Sequence, residues 1–563
     1  MSVWHLTQRF GAAVATRGRR ALSEQILGLD LLRQTFGEPV PHGLLVQPRS
    51  LHRASVRLGM AILDGLWILP GGRVNAHEPS PFFAEPPNEL WAESAHGFAW
   101  LAHLEAVGSQ EAEHRARTAA AHWLRAFSNY DAVGWRPHVM GRRLLSWLTY
   151  GRFITAHAEP AFATQFMVSL VRQAQHLARS AASAPEGLPR LTAAAAVTMS
   201  GLCLPGGERR ITAGAHAMAA ELDRQILPDG AHISRSPEQL AVAMADTLMV
   251  AGAFRTRDIA LPFAIRRALD RMAPAIRFFC HGDGRFALFN GGTEGPEAWA
   301  AQLLANDDAH GAPLGHASHV GFQRLSAGDC LVLCDTGLPP PPACSAFAHA
   351  GTLSFEFSYG VERIIVNCGA VPLRDGAWQH ACRATAAHST VTVNDHSSAQ
   401  FLTQGMAQRV LGAQLLPGPT EVPCRRIDDE DGTTIAASHD GYVQGFGLKH
   451  HRSLFLAAAG NEVRGQDVIS TRARPLGSAA VPFCARFHLH PDVSVSAEDS
   501  GYRLRLASGD AWHFSAEGGT PALGESIYAG DGETLRPTQQ IELHSAVESG
   551  AEALLQWVLR RVA

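Results

Sequence analysis

Apolar positions recur with helical spacing over roughly residues 85 to 280. In PNELWAESAHGFAWLAHLEAVG, Trp91, Ala95, Phe98 and Ala102 fall at i, i+4, i+7 and i+11, on one face of a helix. Asn88 is placed to cap the start of this helix and Gly108 to stop it. AAHWLRAFSNY, MGRRLLSWLTYGRFI, QFMVSLVRQAQHLARSA and QLAVAMADTLMVAGAF repeat the pattern, with short Pro- or Gly-bearing connections between them. Successive helices without intervening strands predict helix-on-helix packing. Past about residue 310 the period shortens to two. TLSFEFSYG, RIIVNCG, STVTVND, YRLRLAS and ALLQWVLRRV alternate or carry short β-branched runs, punctuated by Gly, Asp and Asn. This predicts an all-β sandwich. PEAWAAQLLANDDAHGAPLGHASHV is the expected crossing between the two regions. The reading divides the chain into an N-terminal extension (1–50), a helical domain (51–305) and a β domain (306–563).

Composition narrows the function. With 46% hydrophobic and 18% charged residues the chain is globular, and 563 residues accommodate two large domains. A net charge of −4 lacks the electrostatic footprint of a nucleic-acid binder. Lys449 is the sole lysine, and arginine dominates along the whole chain. An arginine at any one motif position therefore carries less weight than usual. Nine cysteines without CxxC spacing read as free, mostly buried thiols. The run FGAAVA, between Arg9 and the group Arg17, Arg19 and Arg20, is too short for a signal-peptide core. No apolar stretch reaches the roughly 18 residues that span a membrane. Residues alone predict a cytoplasmic location.

HAGTLSFEFSYGVERIIVNCGAVPLRDGAWQHACRATAAHSTVTVND, residues 349–395, resembles the core of the heparinase II/III-like C-terminal domain. His349 opens a strand, Asn367-Cys368-Gly369 closes the next, Arg383 follows, and His388 precedes alternating valines. SHDGY (438–442), GLKHHRSLFL (447–456) and RFHLHP (486–491) are further family-like pieces. ELWAESAHGFAWL, WRPHVMGRRLLSWL and LPDGAHISRSPEQL resemble the helical toroid of the same family. The resemblance implies a multidomain chain, α then β: an incomplete (α/α) toroid followed by an antiparallel β-sandwich. It also implies a polysaccharide lyase that cleaves a glycosaminoglycan or another acidic, uronate-containing polysaccharide by β-elimination. That chemistry neutralises the uronate carboxylate, removes the α-proton with a base and protonates the leaving oxygen with an acid. In the family Asn or His does the first, and His and Tyr the others. This chain departs at each position: Phe347 stands where the first histidine of a His-x-His pair is usual, Gly187-Leu188-Pro189 where Gly-Asn-His is usual, and Ser236-Pro237-Glu238-Gln239 where a Tyr follows Ser-Pro.

The remaining candidates each have two readings. His349, Asn367 and His388 match a metal site of some family members, for which zinc is the expected ion; otherwise the histidines bond within the sandwich. His232 and Arg235, in GAHISRSP, would either grip a substrate carboxylate or leave Ser234 or Ser236 to cap the following helix. Arg383, beside His380, would bind a carboxylate or be a strand-edge charge. Tyr442 would be a proton donor or a corner tyrosine bonded to backbone. His488 and His490 share one face of a strand. Trp91, Trp100, Trp135 and Trp147 would stack sugars, with Trp135 the chosen substrate contact, or fill the core. RFALFNGGTEG (285–295) lacks the strand and helix context of a phosphate loop. Three functions follow: a lyase with a rearranged catalytic set, a catalytically degenerate polysaccharide-binding relative in exopolysaccharide handling, and a hydrolase built on carboxylates such as Glu89, Glu93 and Asp229. Family members work in the cell envelope or periplasm, which the resemblance makes the expected location against the cytoplasmic alternative.

Overall fold

The computed structural model describes residues 41–76, 80–305, 313–372, 376–402, 405–406, 412–416, 418–471 and 480–562. The Arg-flanked run near the N-terminus, most of the proposed 1–50 extension and part of the expected crossing lie outside them.

The chain divides into two compact units. The first comprises Met1–Ile226, Ala241–Arg271 and Pro372–Gly376. Its described part is helical apart from the hairpin Leu66–Leu69/Gly72–Asn75. Asn88 caps its helix as expected, accepting from Trp91 N at 3.0 Å. The helix does not run on to Gly108, however. It ends at Gly97, and a second helix spans Leu101–Val107. Phe98, between them, turns left-handed at φ +57°. Its ring is buried against Trp100 and Trp147, with centroids 4.9 and 5.2 Å away. Burial of a large aromatic outweighs local backbone cost here. The helices Leu188–Cys203 and Glu208–Gln225 approach so closely at Gly214 that a Cβ there would stand 2.6 Å from Thr198 N. Trp135 is 2% exposed, with its Nε1 donating to Phe127 O at 2.9 Å and His176 packed edge-on at 5.2 Å. It is a core residue, not the surface for stacking sugar that the sequence suggested. Trp91, Trp100 and Trp147 are buried as well.

The second unit comprises Leu227–Leu240, Met272–Val371 and Ala377–Ala563. The compact units thus interleave along the chain, and GAHISRSP belongs with the strands. Two antiparallel sheets carry this unit. The eight-stranded one runs from Ser494–Glu498 through Glu552–Val562 and Glu462–Thr471 to Cys424–Asp428. The nine-stranded one runs from Thr520–Tyr528 through Arg536–Val547, Val481–Leu489 and Glu362–Val366 to His316–Ala317, with Val391–Val393 paired onto Val481–Leu489. Inward-alternating residues of both sheets make one core, in which Phe355 of one stacks on Trp557 of the other at 5.3 Å. A fully buried polar chain crosses it. Arg452 and His450 both bond the carboxylate of Asp467, each at 2.7 Å.

Candidate functional site

GAHISRSP folds as a turn in which His232, Ser234 and Ser236 bond within the segment and its adjoining helix, while Arg235 reaches distant residues. His232 Nδ1 accepts the Ser234 N–H at 3.1 Å, and Ser234 Oγ lies 2.7 Å from the same nitrogen. Burial pushes the His232 imidazole down to about 4. Ser236 caps the helix that begins at Pro237, accepting from Gln239 N at 3.4 Å. Arg235 sits at φ +62° and is buried. Its guanidinium grips Asp335 through two bonds, Nη2–Oδ1 at 2.6 Å and Nη1–Oδ2 at 3.3 Å. It also donates to Val320 O at 2.8 Å and Gly321 O at 3.1 Å, and lies 4.7 Å over the Phe322 ring. Of the two sequence readings, helix capping is what the serine does, and Arg235 is a structural ion pair.

Asn290 links this turn to the histidines. Its Nδ2 donates to Arg235 O at 3.2 Å, and its Oδ1 accepts the His349 N–H at 3.3 Å. His349 Nδ1 lies 3.0 Å from His388 Nε2, and His388 Nδ1 lies 2.8 Å from Ala384 O. A carbonyl only accepts, so His388 carries its proton on Nδ1 and its Nε2 accepts from His349 Nδ1–H. Burial holds His388 at about 4 and, with the charges of His388 and Arg383, puts His349 well below the usual imidazole range. Both rings are neutral at physiological pH, and His349 presents Nε2 as a lone-pair base.

Asn367 does not join them as a third ligand. Its Oδ1 accepts the Ser389 N–H at 3.0 Å, and its Nδ2 donates to Leu288 O at 3.3 Å and Glu356 at 3.2 Å. Glu356 in turn bonds His281 Nε2 at 2.9 Å. With both nitrogens of His388 engaged, the expected zinc set as arranged loses one of its three donors. The residues do not fit a zinc ion, which takes four ligands.

Arg383 ends the helix Gly376–Arg383 and donates to three backbone carbonyls: Ala348 at 2.8 Å, Ser345 at 3.2 Å and Ala413 at 2.8 Å. Phe401 packs under its guanidinium at 4.8 Å and against the exposed His380 at 5.1 Å. Tyr442 is buried, its hydroxyl donating to Val391 O at 2.6 Å, and burial raises its pKa. It is the corner tyrosine of the two readings. His488 is buried between Ser526 Oγ at 2.7 Å and Ala386 O at 3.0 Å. Glu93 is tied to Arg136 and His138. Burial raises its pKa, but these two partners outweigh burial and hold it below the usual carboxylate range, the wrong direction for the acid of a hydrolase. Asp229 accepts the His319 and Val320 N–H groups, both at 2.8 Å.

The structure therefore gathers Arg235, Asn290, His349, His388 and Arg383 into one neighbourhood, Arg383 through the carbonyl next to His349. Tyr442 bonds a separate strand, and Trp135 belongs to the helical unit. Asn290 and Asp335 were missed in the sequence. The signal for Asn290 was an Asn-Gly-Gly turn, where it takes φ +48°. In the helical unit a second network was also missed. Buried Asp246 is gripped by Arg142, with both contacts at 3.0 Å, and by His52 at 2.7 Å.

Profiles of known families match most of this chain: heparinase II/III N-terminus over residues 113–292, and heparinase II/III-like, C-terminal, over 309–556. FtsZ-localized protein C of Caulobacter vibrioides is 34% identical over 534 residues, covering 93% of this chain and 91% of the relative. The chain belongs to the heparinase II/III-like family. Its fold is that of the crystal structure of heparinase III, with a TM-score of 0.70 at 12% identity over 95% of this chain and 88% of the other. A heparan sulfate lyase mutant from Pedobacter heparinus gives 0.58 at 14% identity over 98% and 90%. The expected order, helical toroid then antiparallel sandwich, holds, and this heparinase II/III-like chain is polysaccharide-lyase-like in architecture. Among its described residues no helix is long and apolar enough to cross a membrane.

Proposed function

We propose that this protein is a lyase-fold binding protein, acting where FtsZ assembles and not by β-elimination. One observation carries the non-catalytic reading. Arg383, the sequence's best candidate to neutralise a uronate carboxylate, spends its guanidinium on the carbonyls of Ala348, Ser345 and Ala413. Arg235 is held by Asp335, and the Tyr442 hydroxyl by Val391. β-Elimination needs donors aimed at a developing negative charge, and donors bound to main chain do not reorganise toward one. The partner is supported by the relative named for FtsZ localisation, whose 34% identity extends over nearly all of both chains.

Two assays test this together. Purified protein should co-sediment with FtsZ polymers and should form no near-ultraviolet-absorbing unsaturated uronate from a panel of acidic polysaccharides. Unsaturated product from any of them overturns the non-catalytic reading, and failure to sediment with FtsZ overturns the partner. A second reading keeps β-elimination and is favoured by one feature, the lone pair on His349 Nε2, which is suited to proton abstraction. The same product assay decides between them.

A further inference from the structure

Strands Val481–Leu489 and Arg536–Val547 pair antiparallel, with Cys484 opposite His544 and Arg486 opposite Glu542. Phe483, Ala485 and Phe487 turn into the core with Ile541 and Leu543. Alternation therefore sends Cys484, Glu542 and His544 to the other face of the sheet. Directly opposed residues bring their Cβ atoms to about 4.5–5.5 Å, and Glu542 precedes His544 on the same face at the strand's two-residue repeat. As a result a thiol, a carboxylate oxygen and an imidazole nitrogen lie within 4.8 Å of one another. Among the described residues no other group of three such donors does so.

We propose that Cys484, Glu542 and His544 bind a zinc-type divalent ion on the outer face of the nine-stranded sheet. The carboxylate is already turned for it. Glu542 Oε1 accepts from Gln540 at 3.0 Å and faces Arg486 at 3.4 Å, leaving Oε2 toward His544 Nε2 at 3.1 Å. Such outer contacts orient a ligand and fix which oxygen it offers. His544 is exposed, its ring held among the described residues only by Glu542, so the ring has room to turn toward an ion, whereas Cys484 is buried. One sulfur, one oxygen and one nitrogen suit zinc at about 2.3, 2.0–2.2 and 2.0–2.1 Å. A thiolate ligand selects against magnesium and calcium, which take oxygen. Binding releases the thiol proton to solvent as the sulfur–metal bond forms. Three protein ligands leave the fourth position to water, which makes the ion exchangeable and clips two neighbouring strands together. Neither His349 nor His388 takes part.

Cobalt(II) added to metal-free, full-length protein is the probe. One equivalent should produce the near-ultraviolet thiolate-to-cobalt band, and zinc should displace it. Cys484→Ser should abolish the band. His544→Ala and Glu542→Gln should weaken binding at least about tenfold, while Cys424→Ser, at an exposed thiol outside the site, should leave it unchanged. Zinc should also raise the melting temperature of the parent and not of His544→Ala. Absence of a thiolate band, persistence of the band in Cys484→Ser, or unaltered affinity in His544→Ala overturns the site. If Cys484→Ser fails to fold, His544→Ala at the exposed position decides the matter alone.

Discussion

His349 Nδ1 lies 3.0 Å from His388 Nε2, and the Ala384 carbonyl behind His388 sets the direction of the proton between them. The pair is a buried neutral relay that ends on an unprotonated Nε2. Protonating either ring places a charge that no carboxylate among the described residues bonds, so the pair is a sensitive place in the fold.

Acid should therefore destabilise the protein before its carboxylates titrate. The folded-state pKa values of His349 and His388 are lowered by burial, so above the ordinary imidazole value near 6.5 both states bind the same protons and pH has no effect. Below it the unfolded chain takes up protons first and stability falls, until the folded rings titrate in turn. For His388 that is near 4. The expected slope is on the order of 1 kcal/mol per pH unit for each such ring. Urea midpoints measured from pH 7.5 to 5 should fall, and less steeply in His388→Gln. A flat midpoint over that range contradicts the neutral pair.

Arg235→Ala should leave the Asp335 carboxylate buried without its partner and cost about 3–5 kcal/mol in urea unfolding. Asp335→Asn in the same background should recover part of the loss, because it removes the orphaned charge. A cost below about 1 kcal/mol would mean that Arg235 is available to a ligand.

Arg383→Ala should behave as a stability variant. Three carbonyls lose their donor, which costs at least about 2 kcal/mol. Sedimentation with FtsZ polymers, measured well below the melting temperature, should be unchanged. Loss of binding without loss of stability would make Arg383 a contact residue.

Phe347→His returns an imidazole to the position where the family keeps one. The side chain is half exposed, so the exchange should be tolerated in the fold. No unsaturated uronate should form, because the other two roles stay unfilled. Appearance of product would assign β-elimination to this chain, with the introduced imidazole as the missing base.

The periodicity of apolar residues determined the architecture. Spacing of 3.6 over about residues 85 to 280 and of two after about 310 identifies which faces must leave water, and burial drives both layers whatever the details. Phe98 marks the limit. Its place on the apolar face was legible, but its left-handed turn was not, because the aromatic packing behind that turn joins residues from three separate segments. The site was legible as a set of residue types and not as chemistry. Arg235, Arg383 and Tyr442 look the same in sequence whether they face a substrate or a backbone carbonyl. Only the fold supplied Asp335, a hundred residues from Arg235, and the carbonyls of Ala348 and Val391. Cys484 and His544, in turn, were unremarkable sixty residues apart. Strand pairing decides which side chains stand opposite one another, and register is a long-range property that no local window contains.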